Sequence, residues 1–283
     1  MKKPKRQIRL LIASNAGGSG KTTLAVHLAY EVGAKGYKTT LVELDSNSSF
    51  RVFLGLNPPR DEDSIASVLR KTFRGDYPAY PIWQDYLSTV TAIQGGDPLR
   101  EVTTEISGYD RREYILQDRL EDISLDSDLI IFDTPATLEP MGLLALVAST
   151  HILAPIKPEF KDTGSFDGLL NWYYTKVGNL RLKPAPVLLG FVPTRVDLSK
   201  STHRNILGVD AKGKLRTDLP AEETLPGIIE AMGIRCFPMI KESSWFLSAS
   251  GAGLPVHLYR QGCDASKSFR SITDSIIKAM TEE

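Results

Sequence analysis

Apolar residues in this chain come in short β-branched runs separated by stretches with helical spacing. The runs at residues 8–13, 39–44, 89–93, 129–132, 151–156, 187–192 and 235–240 read as strands, several of them apolar at nearly every position, as strands buried on both faces are. Between the first two, Leu24 to Val32 has a helix pattern, and Gly33-Ala34-Lys35-Gly36 supplies a C-cap and turn. Further on, Phe50 to Leu54, Ser64 to Phe73 and Arg111 to Leu120 read as helices, the last one amphipathic. The final segment, Ser266 to Met280, sets Phe269, Ile272, Ile276 and Met280 on one side, the stripe of a helix packed on a sheet. Strands alternating with helices predict the α/β class: a doubly wound, mostly parallel sheet of about seven strands flanked by helices, in one domain over residues 1–283. Residues 57–127 are broken by Pro58-Pro59, Gly75-Asp76, Tyr77-Pro78 and Tyr80-Pro81, and read mainly as a solvated connecting region.

The candidate chemistry concentrates in the turn between the first strand and the first helix, Ala13 to Thr23. Gly17, Gly18 and Gly20 can take positive φ and let successive backbone N–H groups converge on phosphate oxygens, and the helix beginning near Lys21 points its positive end at them. Lys21 would bring a mobile charge to the β- and γ-phosphates, the Thr22 hydroxyl would ligate Mg²⁺, and Ser19 and Thr23 complete the loop. ATP with Mg²⁺ is therefore the expected ligand pair. Two later strands end in acids, Asp45 and Asp133, on the rim where open α/β sheets bind ligands. Asp133 follows four apolar residues, Leu129 to Phe132, and reads as the acid that holds Mg²⁺ through water. Asp45 also suits the N-cap of the Phe50 to Leu54 helix.

Composition narrows the classes. With 283 residues, 42% of them hydrophobic and 24% charged, the chain can bury a full core. Lys plus Arg equals Asp plus Glu at 34 each, so no net field draws the protein to nucleic acid and any DNA contact must come from a local patch. Cys236 and Cys263 form no C-x-x-C, which argues against a metal or iron–sulfur site on cysteines and suits a reducing cytosol. No run of about 18 apolar residues exists, so a soluble, cytoplasmic protein without membrane attachment is expected. Residues 1–6, rich in Lys and Arg, read as a flexible basic tail.

Asn15 stands where the general phosphate-loop pattern has its first Gly. The run instead resembles the deviant Walker A loop of the ParA/MinD ATPases, x-K-G-G-x-x-K-[ST], with Gly17, Gly18, Lys21 and Thr22 in place and Ala16 at the family's signature lysine. Glu43-Leu44-Asp45-Ser46-Asn47 resembles the family's D-x-D-P-Q-G-N stretch, Asp133-Thr134-Pro135 its D-[ACT]-P-P, and Ile152 to Phe160 its V-L-I-P-V-x-P-E-F with Lys157 at x. Arg112 to Leu116 is similar to its R-E-[FY]-x-L segment, and Ser250 to Tyr259 to its S-x-x-G-x-P-V-x-x-Y. The likeness runs from residue 7 to about 275.

That resemblance implies a P-loop ATPase that sandwiches two ATP molecules in a homodimer and binds DNA nonspecifically in that state. Release would follow hydrolysis, slow by itself and stimulated by an adaptor of the ParB or McdB type. Such proteins are cytoplasmic, nucleoid-associated and without a membrane, and position a cargo, either a plasmid or a protein body such as a carboxysome. It makes Lys21, Asp45 and Lys157 catalytic, Asp45 orienting the attacking water. In the branch that positions carboxysomes a lysine from the C-terminal half replaces the missing loop lysine, and Lys157, with Lys161 behind it, fits that role. Arg195, Pro255 and Val256 would lie beside the base, and Arg260, Lys267 and Arg270 would form the DNA patch. A P-loop enzyme of the dethiobiotin synthetase type and a nucleotide-binding scaffold with little hydrolysis are the alternatives.

Overall fold

The strands that end in the loop and in the two acids are neighbours in one sheet. A computed structural model describes residues 3–282, except for the side chains of residues 161–163 and 165. Its strands are β1 (Ile8–Ile12), β2 (Thr39–Glu43), β3 (Tyr80–Pro81), β4 (Val90–Ile93), β5 (Leu129–Asp133), β6 (His151–Ile156) and β7 (Val187–Pro193). They lie in the order β3-β4-β2-β5-β1-β6-β7, all parallel except the edge strand β3. In this register Asp133 stands opposite both Ile12 and Glu43.

The helices of the first half are α1 (Lys21–Ala34), α2 (Ser49–Phe53), α3 (Ile65–Leu69), α4 (Pro98–Ile106), α5 (Ile115–Asp122) and α6 (Met141–Ala148). The second half adds α7 (Phe160–Leu180), α8 (Ser201–Leu207), α9 (Leu225–Ala231), α10 (Ser244–Gly251), α11 (Val256–Tyr259), α12 (Asp264–Lys267) and α13 (Arg270–Thr281). Alternate strand residues feed opposite cores. Leu10, Ile12 and Ile131 pack with α1 and α13, whereas Leu11, Ile130 and Phe132 pack with α3 to α7. Both faces of the central strands are thus covered, as a doubly wound sheet requires. The stripe Phe269, Ile272, Ile276 and Met280 is fully buried, with Phe269 as the N-cap of α13.

Several elements differ from the sequence reading, each for a local reason. Residues 235–240 run beside β7 without forming a strand: Phe237 N–H donates to Phe191 O and Ile240 N–H to Pro193 O, but Pro238 and Pro193 have no N–H to continue the ladder. The seventh strand is instead Tyr80–Pro81, antiparallel to β4 at an edge, where a proline is tolerated. The expected helix from Ser64 stops at Leu69, because the Arg119 guanidinium takes the carbonyls of Val68 and Arg70 and Arg70 turns extended. Arg111 adopts φ 52°, so the next helix begins as a 3₁₀ turn and becomes α-helical only at Ile115. At the start of the chain, Lys5 N–H donates to Met280 O and Arg6 to Ala279 O, so these two residues are fastened to α13 rather than forming a free tail. Residues 1 and 2 of that expected tail lie outside the described residues.

Candidate functional site

At the end of β1 the chain turns through Gly18 (φ 72°) and Gly20 (φ 85°), a backbone that favours glycine, and Gly20 is the N-cap of α1. Two residues beyond β7 hold this turn from outside. The Thr194 hydroxyl donates to Ser19 O at 2.6 Å, and Arg195 donates to Gly18 O at 3.1 Å while its other nitrogen reaches Glu242 Oε1 at 3.0 Å. With these carbonyls tied down, the opposite edge of the loop is left for ligands. Lys21 is buried and its ammonium donates to Ala16 O at 3.3 Å. Burial lowers its pKa, and Asp133 and Asp45 pull the other way.

The first turn of α1 brings Thr22 against the end of β5, where its hydroxyl donates to Asp133 Oδ2 at 2.7 Å. Asp133 is 1% exposed, and burial pushes its carboxyl up to about 7 against the opposing pull of Thr22 and Lys21. Among the described residues, its other oxygen, Oδ1, is buried without a hydrogen-bond partner, as is Ser19 Oγ. A buried acceptor left unpaired beside a cluster of donors is a position a cation or its waters would satisfy. Asp45 is half-buried beyond β2, its Oδ1 accepting from Asn47 N–H at 2.9 Å; it is not the cap of α2, whose N-cap is Ser48. Glu43, fully buried, accepts from Phe50 N–H and Gly95 N–H at 2.9 and 3.0 Å, and burial raises its carboxyl to about 7.

Ser19, Lys21, Thr22, Asp45 and Arg195 line one cavity of about 550 Å³, whereas Asp133 and Glu43 are outside its wall, Asp133 bonded to the lining Thr22. Gly17, Gly18, Gly20 and Thr23 line it as well. The lining also carries apolar and aromatic residues, Phe53, Ile240, Phe246, Leu247 and Phe269. The size and the mix of polar and apolar lining suit a mononucleotide. Two of the expected base neighbours are elsewhere: Pro255 and Val256 are buried outside the cavity wall, with Val256 N–H donating to His27 Nε2 at 3.1 Å. Phe246, Leu247 and Ser250 of α10 and its N-cap Ser243 line the cavity instead. Nothing in the local pattern of Trp245-Phe246-Leu247 distinguishes it from a core helix, and Glu242 carried no motif.

Lys157 also lies off the cavity wall. At the end of β6 its ammonium is 2.5 Å from Glu159 Oε1, and the same carboxylate is 3.9 Å from His203 Nε2. The side chain of Lys161 is outside the described residues. Among the described residues, no group of three or more His, Cys, Asp or Glu side chains could hold a metal by itself, and no helix is long and apolar enough to cross a membrane.

Comparison with known proteins agrees with this geometry. The AAA_31 family, an AAA domain, matches residues 8–177. The chromosome partitioning protein ParA of Myxococcus xanthus is 27% identical over 220 residues, which cover 75% of this chain and 74% of that protein. The chromosome-partitioning ATPase Soj of Treponema pallidum is 25% identical over 281 residues, covering 95% and 96%. Among solved structures, apo McdA from Cyanothece superposes with a TM-score of 0.74 at 23% identity, over 94% of this chain and 98% of that one. The phosphate loop, the acids at the ends of β2 and β5 and the strand order together make the conclusion plain: the chain belongs to the AAA_31 family and is a ParA-type P-loop ATPase.

Proposed function

We propose that this chain binds Mg-ATP in the cavity, pairs with a second copy in that state, holds DNA without sequence preference, and lets go after hydrolysis stimulated by an adaptor protein. The observation that most supports this reading is the meeting of Thr22 and Asp133 beside Lys21, on the rim that also carries Asp45. Lys21 and the Gly17–Gly20 backbone would take the phosphate oxygens, and the N-terminus of α1 adds its dipole. Asp45 would accept a hydrogen bond from the attacking water and so orient it. Mg²⁺ fits the donors present: Thr22 Oγ1 and Asp133, whose Oδ1 lacks a partner among the described residues, would hold it, partly through water. Bound there it would neutralise charge on the transferring phosphoryl group. The base would lie along Phe53, Ile240, Phe246 and Leu247, with Arg195 beside it.

Ala16 cannot supply a cationic contact, and Lys157 would provide it across the dimer after leaving Glu159. Arg260, stacked 4.1 Å from the Trp245 ring, together with Lys267 and Arg270, would contribute the DNA patch, weak per subunit and useful once two subunits combine. A cytoplasmic, nucleoid-associated protein follows from that cycle. The missing loop lysine favours a protein body such as a carboxysome over a plasmid as cargo, with an adaptor of the McdB rather than the ParB type.

The test is phosphate release by the purified chain with Mg-ATP, with and without DNA, alongside sizing of the protein. Phosphate without any phosphorylated or ligated metabolite supports the reading. Lys21→Ala should lose ATP-dependent dimerisation and DNA binding together; DNA binding that survives the loss of the dimer contradicts the coupling.

A further inference from the structure

The segment carrying Asp45 needs an explanation for its order. It runs from Leu44 to Ser49 without a proline or glycine, and it includes Ser48 at φ 54°, an uncommon conformation for a residue with a side chain. Something must hold it.

We propose that Glu43 is the positioning residue for Asp45, its carboxylate clamping the far end of this segment and the adjoining Gly95 turn in one place. The proposal rests on the reading of Asp45 as the residue that orients water. Glu43 is the last residue of β2 and is fully buried. One oxygen accepts from Phe50 N–H at 2.9 Å, where the segment enters α2; the other accepts from Gly95 N–H at 3.0 Å, just past β4. Phe50 lies in the first turn of α2, where an N–H has no intrahelical partner, so a side chain supplies the acceptor. The Gly95-Gly96 turn then grips the middle of the segment, because Gly96 N–H donates to Asp45 O at 3.1 Å. At the near end Leu44 N–H donates to Asp133 O at 2.8 Å. The Asp45 backbone is therefore held from three sides, and the buried carboxylate of Glu43 joins two of them.

The fit of Gly95 supports this account independently. A Cβ there would come within 2.6 Å of Glu43 O and 2.8 Å of Asp45 O, so the turn presses on the two acids more closely than any side chain allows. Hydrogen bonds from two backbone donors give each oxygen of Glu43 a partner without a cation. They also let the Ser46-Asn47-Ser48-Ser49 sequence hold Asp45 in place although it contains no residue that restricts the backbone by itself.

Glu43→Gln tests the clamp, since an amide presents one acceptor where two are needed. With wild type as reference, ATP turnover should fall by about 10-fold or more, as displaced catalytic groups do, while KM for ATP and the affinity for a fluorescent ATP analogue stay within about twofold. Unchanged turnover, or an equal loss of affinity, overturns the positioning role. Hydrogen exchange on the nucleotide-free wild type tests the clamp without a variant: the Phe50 and Gly95 amides should be protected, and rapid exchange at Phe50 overturns it. If wild type itself releases no phosphate, the role assigned to Asp45 fails, while the exchange measurement still decides whether Glu43 clamps the segment.

Discussion

Thr22 and Asp133, 111 positions apart, are joined by a 2.7 Å hydrogen bond from the Thr22 hydroxyl to Oδ2, and the second Asp133 oxygen is buried with nothing among the described residues to accept from. The nucleotide-free site therefore carries an electrostatic cost. A carboxyl raised to about 7 holds its proton more tightly folded than unfolded, so its contribution to stability is full below the ordinary Asp value near 3.9 and is lost as the pH rises through about 7. Asp133→Asn removes that titration and still accepts from Thr22. Without nucleotide the variant should be more stable than wild type at pH 8, by roughly 2 kcal/mol or more, with the advantage shrinking towards pH 4. Urea unfolding of both proteins at several pH values reads this, and an advantage that does not depend on pH would refute it.

Asp45 stands on the cavity wall but makes no bond to Lys21, Thr22 or Asp133 that binding would need. Asp45→Ala should accordingly keep ATP affinity within about threefold while turnover falls by about 100-fold, the separation expected when a group acts only on the transition state. Nucleotide titration and phosphate release on one preparation decide the matter. A matching loss of affinity would place Asp45 in binding instead.

Lys157 rests on Glu159 in the single chain, 2.5 Å away. If it serves a second copy, Lys157→Ala should leave monomeric ATP binding intact and abolish the ATP-dependent dimer, as seen by sedimentation or light scattering. A dimer of normal strength in the variant removes Lys157 from the cycle.

His27 joins the first turn of α1 to the start of α11. Nε2 accepts from Val256 N–H at 3.1 Å, so Nδ1 carries the proton and donates to Thr23 O at 2.6 Å. The ring stacks on Phe269 and meets Phe246 edge-on, with His257 5.7 Å away, and burial drives its pKa down to about 3. An unfolded histidine takes up a proton near pH 6.5, whereas this one does not until about 3, so its neutral form stabilises the fold above 6.5 and loses that effect as the pH falls. Between those values it should steepen acid destabilisation by about 1.4 kcal/mol per pH unit. His27→Gln should unfold more easily at pH 8 but show a shallower decline on acidification. Equal slopes for the two proteins would mean that His27 titrates normally.

Parts of the site were legible because their chemistry is local. Gly18 and Gly20 sit where the backbone turns left-handed, Lys21 and Thr22 follow directly, and the apolar runs of β2 and β5 lead to Asp45 and Asp133. Parts were not, because local composition carries little of the information. Residues 235–240 have the apolar content of a strand, yet Pro193 and Pro238, each without an N–H, leave the ladder incomplete. Tyr80–Pro81 has the look of a chain break and pairs at the edge. Pro255 and Val256 carry the right pattern for a wall residue, and α10 occupies the wall instead.

By itself, the amino-acid sequence determined the α/β alternation, the phosphate loop and the two acids at strand ends, since these depend on residue-by-residue backbone preference and on burial on both faces of a strand. Only the tertiary structure decided that β5 lies between β1 and β2, which brings Thr22 to Asp133, and that Arg195 ties Gly18 to Glu242. It also decided that Glu43 reaches both Phe50 and Gly95. The reason is physical: strand order and the approach of segments distant in sequence are set by packing of the whole sheet, and hydrophobic periodicity records which face is buried but not what it meets.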